Sequence, residues 1–185
     1  MPVEMYAPKW LEKYNVEVLP EAVRHRLTRM LKSIAISDEG FRVLSAEQIG
    51  IGLFPSSDTP IKQLRHIFAH TYALVKVIGQ ATDEQPGQLL SYDYVKQFPE
   101  LSSVPTMERG ELLPKLDEAV GELYSALQNS AVLTRKVQKP FNPQITVLEA
   151  VGDLSEHFYL HAQNMIDYYE KYDIPRSASM KAALG

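Results

Sequence analysis

Four long segments in which apolar residues recur every three or four positions constrain the fold of this chain most. They begin near Pro20, Thr59, Pro114 and Thr146, and prolines and polar clusters separate them. This spacing is typical of helices with one apolar face. No part of the sequence indicates strand pairs or alternating strands and helices. The pattern therefore predicts an all-α fold, a four-helix bundle with long connections and a short additional helix within residues 1–19.

Capping residues and prolines set the expected helix boundaries. Thr59 can cap the second helix with Pro60 as its first residue, where a missing N–H costs nothing. Thr146 and Glu149 have the spacing of a capping box at the start of the fourth helix. We therefore expect helices over residues 20–36, 59 to 81–83, 114–129 and 146–174.

Composition limits the chemistry that this chain can carry. With 185 residues, we expect one domain over residues 1–185. The absence of cysteine excludes disulfides, iron–sulfur clusters, thiolate metal sites and a protein thiol nucleophile. The formal charge of −4 argues against nucleic-acid binding. No apolar stretch approaches the ~20 residues of a membrane span, and the first residues do not have the pattern of a secretion signal, so we expect a cytoplasmic protein.

Four of the 5 histidines form two pairs with a spacing of four residues, His66/His70 and His157/His161. Residues at this spacing lie on one face of a helix, with Cβ atoms about 5–6 Å apart. Two imidazoles there can direct ring nitrogens at one divalent ion about 2.0–2.1 Å away, and a third from another helix completes a site that keeps an open position. Two pairs on separate helices favour this metal site over unrelated core histidines that are hydrogen-bonded to their neighbours.

Helical phase leaves the third ligand open. On the second helix, His66 lies at the edge of the polar arc and His70 lies deeper in the apolar arc, so phase alone favours His70 as the inward residue. On the fourth helix, His161 falls on the apolar stripe and His157 lies beside it. Asp153, one turn before His157, has the spacing to orient that imidazole as a hydrogen-bond acceptor, although an aspartate in such a position is more often simply solvated.

Two stretches of this sequence resemble motifs of the DinB family of metalloenzymes. Residues 59–67, Thr-Pro-Ile-Lys-Gln-Leu-Arg-His-Ile, resemble the second-helix motif of the family, in which a capping Ser or Thr precedes a ligand histidine by seven residues. Pro140-Phe141, then Thr146, then residues 157–161 (His-Phe-Tyr-Leu-His) are similar to its fourth-helix pattern. The resemblance extends over about residues 20–175.

The resemblance implies a four-helix bundle that holds one divalent metal ion, Zn, Ni or Fe, through His66, His157 and His161. It gives His70 no role. Because some members of the family are thiol-dependent transferases or isomerases, the resemblance also implies a small-molecule substrate and a thiol cosubstrate. Separately, the family resemblance implies a homodimer. The family commonly places Gly and then Gln two and three residues after its last histidine, whereas this chain has Gln163 and Asn164 there. Gln163 is therefore expected to alter helix packing near the metal.

The leading functional hypothesis is a mononuclear metal-dependent transferase or hydrolase with a three-histidine site. Since the chain has no cysteine, any thiol nucleophile must come from a cosubstrate. The alternative is a helical interaction module whose histidines are structural. An enzyme needs a mouth for its substrate, and the connections 37–58 and 82–106 are longer than ordinary loops. We expect them to line that mouth, with Tyr92, Tyr94 or Phe98 as an apolar wall.

Overall fold

Helices dominate the structure, a computed structural model that describes residues 7–55, 57–141 and 143–177. They are α1 (Ala7–Lys13), α2 (Glu21–Val43), α3 (Pro60–Gln80), α4 (Tyr94–Gln97), α5 (Arg109–Leu127) and α6 (Val147–Lys171). The four long helices share a core that includes the fully buried side chains of Leu27, Leu64, Leu123 and Val151. The predicted all-α bundle with a short N-terminal helix is confirmed, and residues 1–6 of the expected leading segment lie outside the described residues.

Contacts between side chains give the direction of each long helix. Arg29 pairs with Glu156, and Glu39 accepts a hydrogen bond from Tyr169, so α2 and α6 run parallel. Arg65 contacts the Met107 carbonyl and Lys76 pairs with Glu122, so α3 runs parallel to α5. Tyr168 donates to the carbonyl of Asp58 and His66 contacts His157, so α3 runs antiparallel to α6. The bundle therefore has an up-down-down-up order along the chain.

This order explains the long connection between α3 and α5. Two consecutive parallel helices require the chain to return along the whole length of the bundle before the second one can begin. Residues 81–108 make that crossover and contribute α4 and β1 (Gly87–Gln88). Strand β1 pairs in parallel with β2 (Lys136–Gln138), which pairs antiparallel with β3 (Ile145–Thr146). These strands are too short for sequence periodicity to reveal, and the sequence predicted none.

The crossover passes α3 at a point where only glycine fits. A Cβ on Gly87 would lie 2.0 Å from the carbonyl oxygen of Val77. Because that atom belongs to the backbone of α3, it cannot turn aside as a flexible side chain could. The absence of a side chain at residue 87 thus allows β1 to lie directly against the end of α3.

Two helix boundaries differ from the sequence-based expectation. Helix α2 continues to Val43 instead of ending near residue 36, because Asp38 and Glu39 are buried with partners from distant parts of the chain. Helix α5 begins at Arg109, five residues before Pro114, where Glu108 and Glu111 form a capping box. The predicted caps Thr59 and Thr146 are confirmed at the starts of α3 and α6. Among the described residues, no helix combines the length and apolar character that a membrane span needs.

Candidate metal centre

Three imidazoles meet between α3 and α6. The Nε2 atom of His157 lies 3.0 Å from Nε2 of His66 and 3.0 Å from Nε2 of His161. Ligand atoms of all three histidines lie within 4.8 Å of one another. Since His66 is exposed and the other two are half-buried, the cluster is reachable from solvent. The structure thus brings together the three histidines that the sequence predicted as metal ligands.

The antiparallel contact of α3 with α6 produces this arrangement. Thr59 caps α3 and fixes its first turn, which places His66 near the start of that helix. His157 and His161 lie on consecutive turns of α6, and both rings contact residues of α3. The helix is continuous through Gln163, which is half-buried, and the departure from the family pattern does not break α6.

The separations of the nitrogens fit a shared divalent ion. Two nitrogens bound to one ion at about 2.0–2.1 Å lie roughly 2.9–3.4 Å apart at the usual angles between ligands. Both measured separations, from His157 to His66 and from His157 to His161, are 3.0 Å and fall in this interval. The residues present therefore fit a metal ion of the kind that imidazole binds.

Gln63 determines which nitrogen of His161 carries the proton. Its amide nitrogen Nε2 donates to the carbonyl oxygen of Asp58 at 3.2 Å, so its oxygen Oε1 faces Nδ1 of His161, also at 3.2 Å. Because an amide oxygen only accepts, the proton of a neutral His161 resides on Nδ1. Its Nε2 then directs a lone pair at the centre of the cluster, as a metal ligand must.

The three ring nitrogens are poorly matched to one another without a cation. His157 carries at most one hydrogen on Nε2, yet this atom faces two other nitrogens at 3.0 Å. With the lone pair of His161 directed inward, at least one of these contacts lacks a properly shared proton. A divalent ion would attract all three lone pairs at once.

Burial keeps the cluster neutral at physiological pH. Desolvation, followed by the charge of neighbouring histidines, lowers the pKa of His157 to about 4 and that of His161 to about 3. Desolvation also lowers the pKa of His66, against a smaller opposing effect of the Asp58 carboxylate. Neutral imidazoles are the form that binds metals, so the cluster does not need to lose protons first.

His70 borders the cluster without joining it. Its ring centroid lies 4.7 Å from that of His157 and 6.0 Å from that of His66. The ring of Tyr94, from α4, stacks on His70 at 5.4 Å and lies 6.4 Å from His66. Phe98 packs against Tyr72. Tyr94, one of the aromatic residues expected at the mouth, thus lies beside the histidines.

Asp153, which has the spacing to orient His157, forms an ion pair with a lysine instead. Its carboxylate pairs with the ammonium group of Lys139, whose side chain is 15% exposed. No pattern in the sequence pointed to Lys139 or Gln63 as residues near the cluster, apart from the position of Gln63 one turn before His66 on the same face of α3.

Comparison with solved structures supports the fold. The chain is similar to the mycothiol-dependent maleylpyruvate isomerase and to a histidine-to-alanine mutant of that enzyme, with a TM-score of 0.62 for each and sequence identities of 17% and 16%. The match covers 82% of this chain but spans only 62% of the length of the isomerase. At this identity the likeness shows the fold alone, and it agrees with the bundle that the DinB resemblance implied. No protein-family model and no curated protein matches the sequence.

Proposed function

We propose that this protein is a mononuclear metal-dependent enzyme in which His66, His157 and His161 hold one divalent ion. The observation that carries the proposal is that Nε2 of His157 lies 3.0 Å from Nε2 of both His66 and His161, with no proton arrangement that satisfies both contacts well. The exposure of His66 supports a reactive centre over a sealed structural one, because solvent and substrate can reach it.

A divalent ion held by three neutral imidazoles keeps its full charge and can lower the pKa of a bound water or thiol. The residues of this chain hold and orient it. Gln63 fixes the tautomer of His161, and Tyr94 forms an apolar wall beside His66 and His70. Zn, Ni and Fe all suit such a donor set.

We further propose that the reaction transfers or rearranges a small molecule with the help of a thiol cosubstrate. One observation supports this class: the isomerase that shares the fold is mycothiol-dependent by name. Because the chain has no cysteine, any thiol nucleophile would have to be supplied from outside. A homodimer, which the DinB resemblance implies, belongs to the same proposal, and light scattering at micromolar protein tests it.

Elemental analysis and metal titration test the proposal. The purified protein should contain close to one divalent ion per chain, and the metal-stripped protein should bind Co²⁺ at one site. Alanine variants of His66, His157 and His161 should each lose this binding while they keep their helical circular dichroism. His25→Ala is the matched control, because this exposed histidine lies on α2 outside the cluster. Failure of the unaltered protein to bind any divalent ion would favour the alternative of an interaction module.

A further inference from the structure

His70 is the one histidine of the two pairs that the proposed metal centre leaves unused. It lies one turn after His66 on α3, with its ring centroid 4.7 Å from that of His157. It does not belong to the group of ligand atoms that lie within 4.8 Å of one another. His70 is thus close enough to contact His157, one of the three proposed metal ligands, but it is not part of the three-nitrogen cluster.

The two nitrogens of His70 have different surroundings. Nδ1 is buried and has no hydrogen-bond partner among the described residues. Nε2 is not one of the buried atoms that lack a partner. A neutral imidazole carries one proton. A buried N–H group without an acceptor is rarer, and costs more free energy, than a buried lone pair without a donor. The hydrogen-bonding surroundings therefore assign the proton to Nε2.

Neighbouring rings hold His70 in this orientation. Tyr94 stacks on it with centroids 5.4 Å apart and planes 23° apart. His157 meets it nearly perpendicularly, at 79°. Contacts on both sides restrict rotation of the imidazole, so the donor is preorganised before any ligand arrives.

We propose that His70 donates a hydrogen bond from Nε2 to an anionic ligand, such as a thiolate or a carboxylate, bound to the metal ion. This inference rests on the proposed function. The three ligand histidines contribute lone pairs and no negative charge, so the ion attracts an anion to its open position. The three ligand histidines direct no N–H group at the bound anion, since the nitrogens that face the ion are its ligands. His70 supplies the donor, and the site thereby prefers anions that can accept a hydrogen bond.

Azide binding to the Co²⁺-loaded protein, followed by visible absorption, tests this role. His70→Leu removes the donor, and we expect azide to bind about 10- to 100-fold more weakly. His70→Gln keeps an N–H near the position of Nε2, and its azide affinity should stay within about threefold of the unaltered protein. The Co²⁺ affinity of both variants, measured by competition with a chelator, should be unchanged.

Four results would overturn the proposal. Equal azide affinity in both variants and the unaltered protein excludes the hydrogen bond. A loss of Co²⁺ affinity in His70→Leu as large as in His157→Ala makes His70 a ligand. A ¹⁵N NMR spectrum of the metal-free protein that shows the His70 proton on Nδ1 contradicts the assigned tautomer without the need for any variant. Failure of the unaltered protein to bind Co²⁺ would overturn the proposed function as well, and the metal titration tells that case apart.

Discussion

The amide oxygen of Gln63 lies 3.2 Å from Nδ1 of His161, so a residue of α3 fixes the tautomer of a histidine on α6. The amide itself is held in turn, because its Nε2 donates to the Asp58 carbonyl, which also accepts a hydrogen bond from Tyr168. Gln63 is 5% exposed, and water therefore has little opportunity to replace its contact with His161.

Replacement of Gln63 by leucine should weaken metal binding about 10- to 100-fold, as is usual when a hydrogen-bond partner of a ligand histidine is lost. Without the acceptor, His161 is free to place its proton on Nε2, where it competes with the ion. Isothermal titration of the metal-stripped protein measures the effect. Gln80→Leu serves as the control, because this residue is exposed at the other end of α3. Equal affinities in the two variants would contradict the role of Gln63.

The metal-free protein should lose stability as the pH falls from 7 to 5, because of its buried histidines. Burial lowers the pKa of His70 and of His161 to about 3, below the ordinary value of about 6.5. Between these values the unfolded chain binds more protons than the folded one, so the free energy of unfolding falls as the pH falls. We expect a loss on the order of 1 kcal/mol per buried histidine between pH 7 and pH 5.

Urea unfolding at pH 7, 6 and 5 measures this loss. His70→Gln should flatten the dependence on pH, because a group that titrates differently in the two states has been removed. A free energy of unfolding that stays constant from pH 7 to pH 5 would show that burial does not suppress protonation of the cluster.

Phe98 should matter for stability and not for metal binding. Its ring is 5% exposed and packs edge-on against Tyr72, with centroids 6.3 Å apart. Phe98→Ala should cost about 3 kcal/mol through lost packing and the cavity left behind. The metal content per folded chain should remain that of the unaltered protein. A selective loss of metal at unchanged stability would place this residue at the centre after all.

Gly87→Ala should destabilise the crossover. The added methyl group would lie 2.0 Å from the Val77 carbonyl oxygen, so β1 would have to move away from α3. We expect a loss of about 1–3 kcal/mol, as for other cases of overpacking, measured by thermal or urea unfolding. Gly79→Ala on the same helix end is the control, since nothing lies within 4 Å of a Cβ there.

Sequence patterns predicted those features of the molecule that depend only on residues near one another in the chain. The caps at Thr59 and Thr146 and the spacing of His157 with His161 follow from helix geometry, and each is found as expected. The end of α2 could not be predicted in this way. Asp38 resembles a loop residue in sequence, and only its contacts with Trp10, 28 residues away, and with Arg42 allow it to remain buried in a helix.

The same distinction applies to the site. Phase on an isolated helix favoured His70 over His66, because it treats the apolar arc as the inward direction. The position of α6 brings His66 into the cluster instead, since Nε2 of His157 lies 3.0 Å from Nε2 of His66. The contact of Gln63 with His161 joins residues 98 positions apart, and no local pattern encodes it.

His66 and His157 are 91 residues apart in the chain, and they belong to different halves of the bundle. A protein without cysteine cannot join such halves by a disulfide. An ion held by both histidines would act as a removable cross-link between the first helical hairpin and the last. Each tenfold excess of free ion over its dissociation constant would add about 1.4 kcal/mol to the stability of the fold. The resistance of the protein to unfolding and proteolysis would then follow the supply of metal, and a chain starved of its ion would be the first to be degraded.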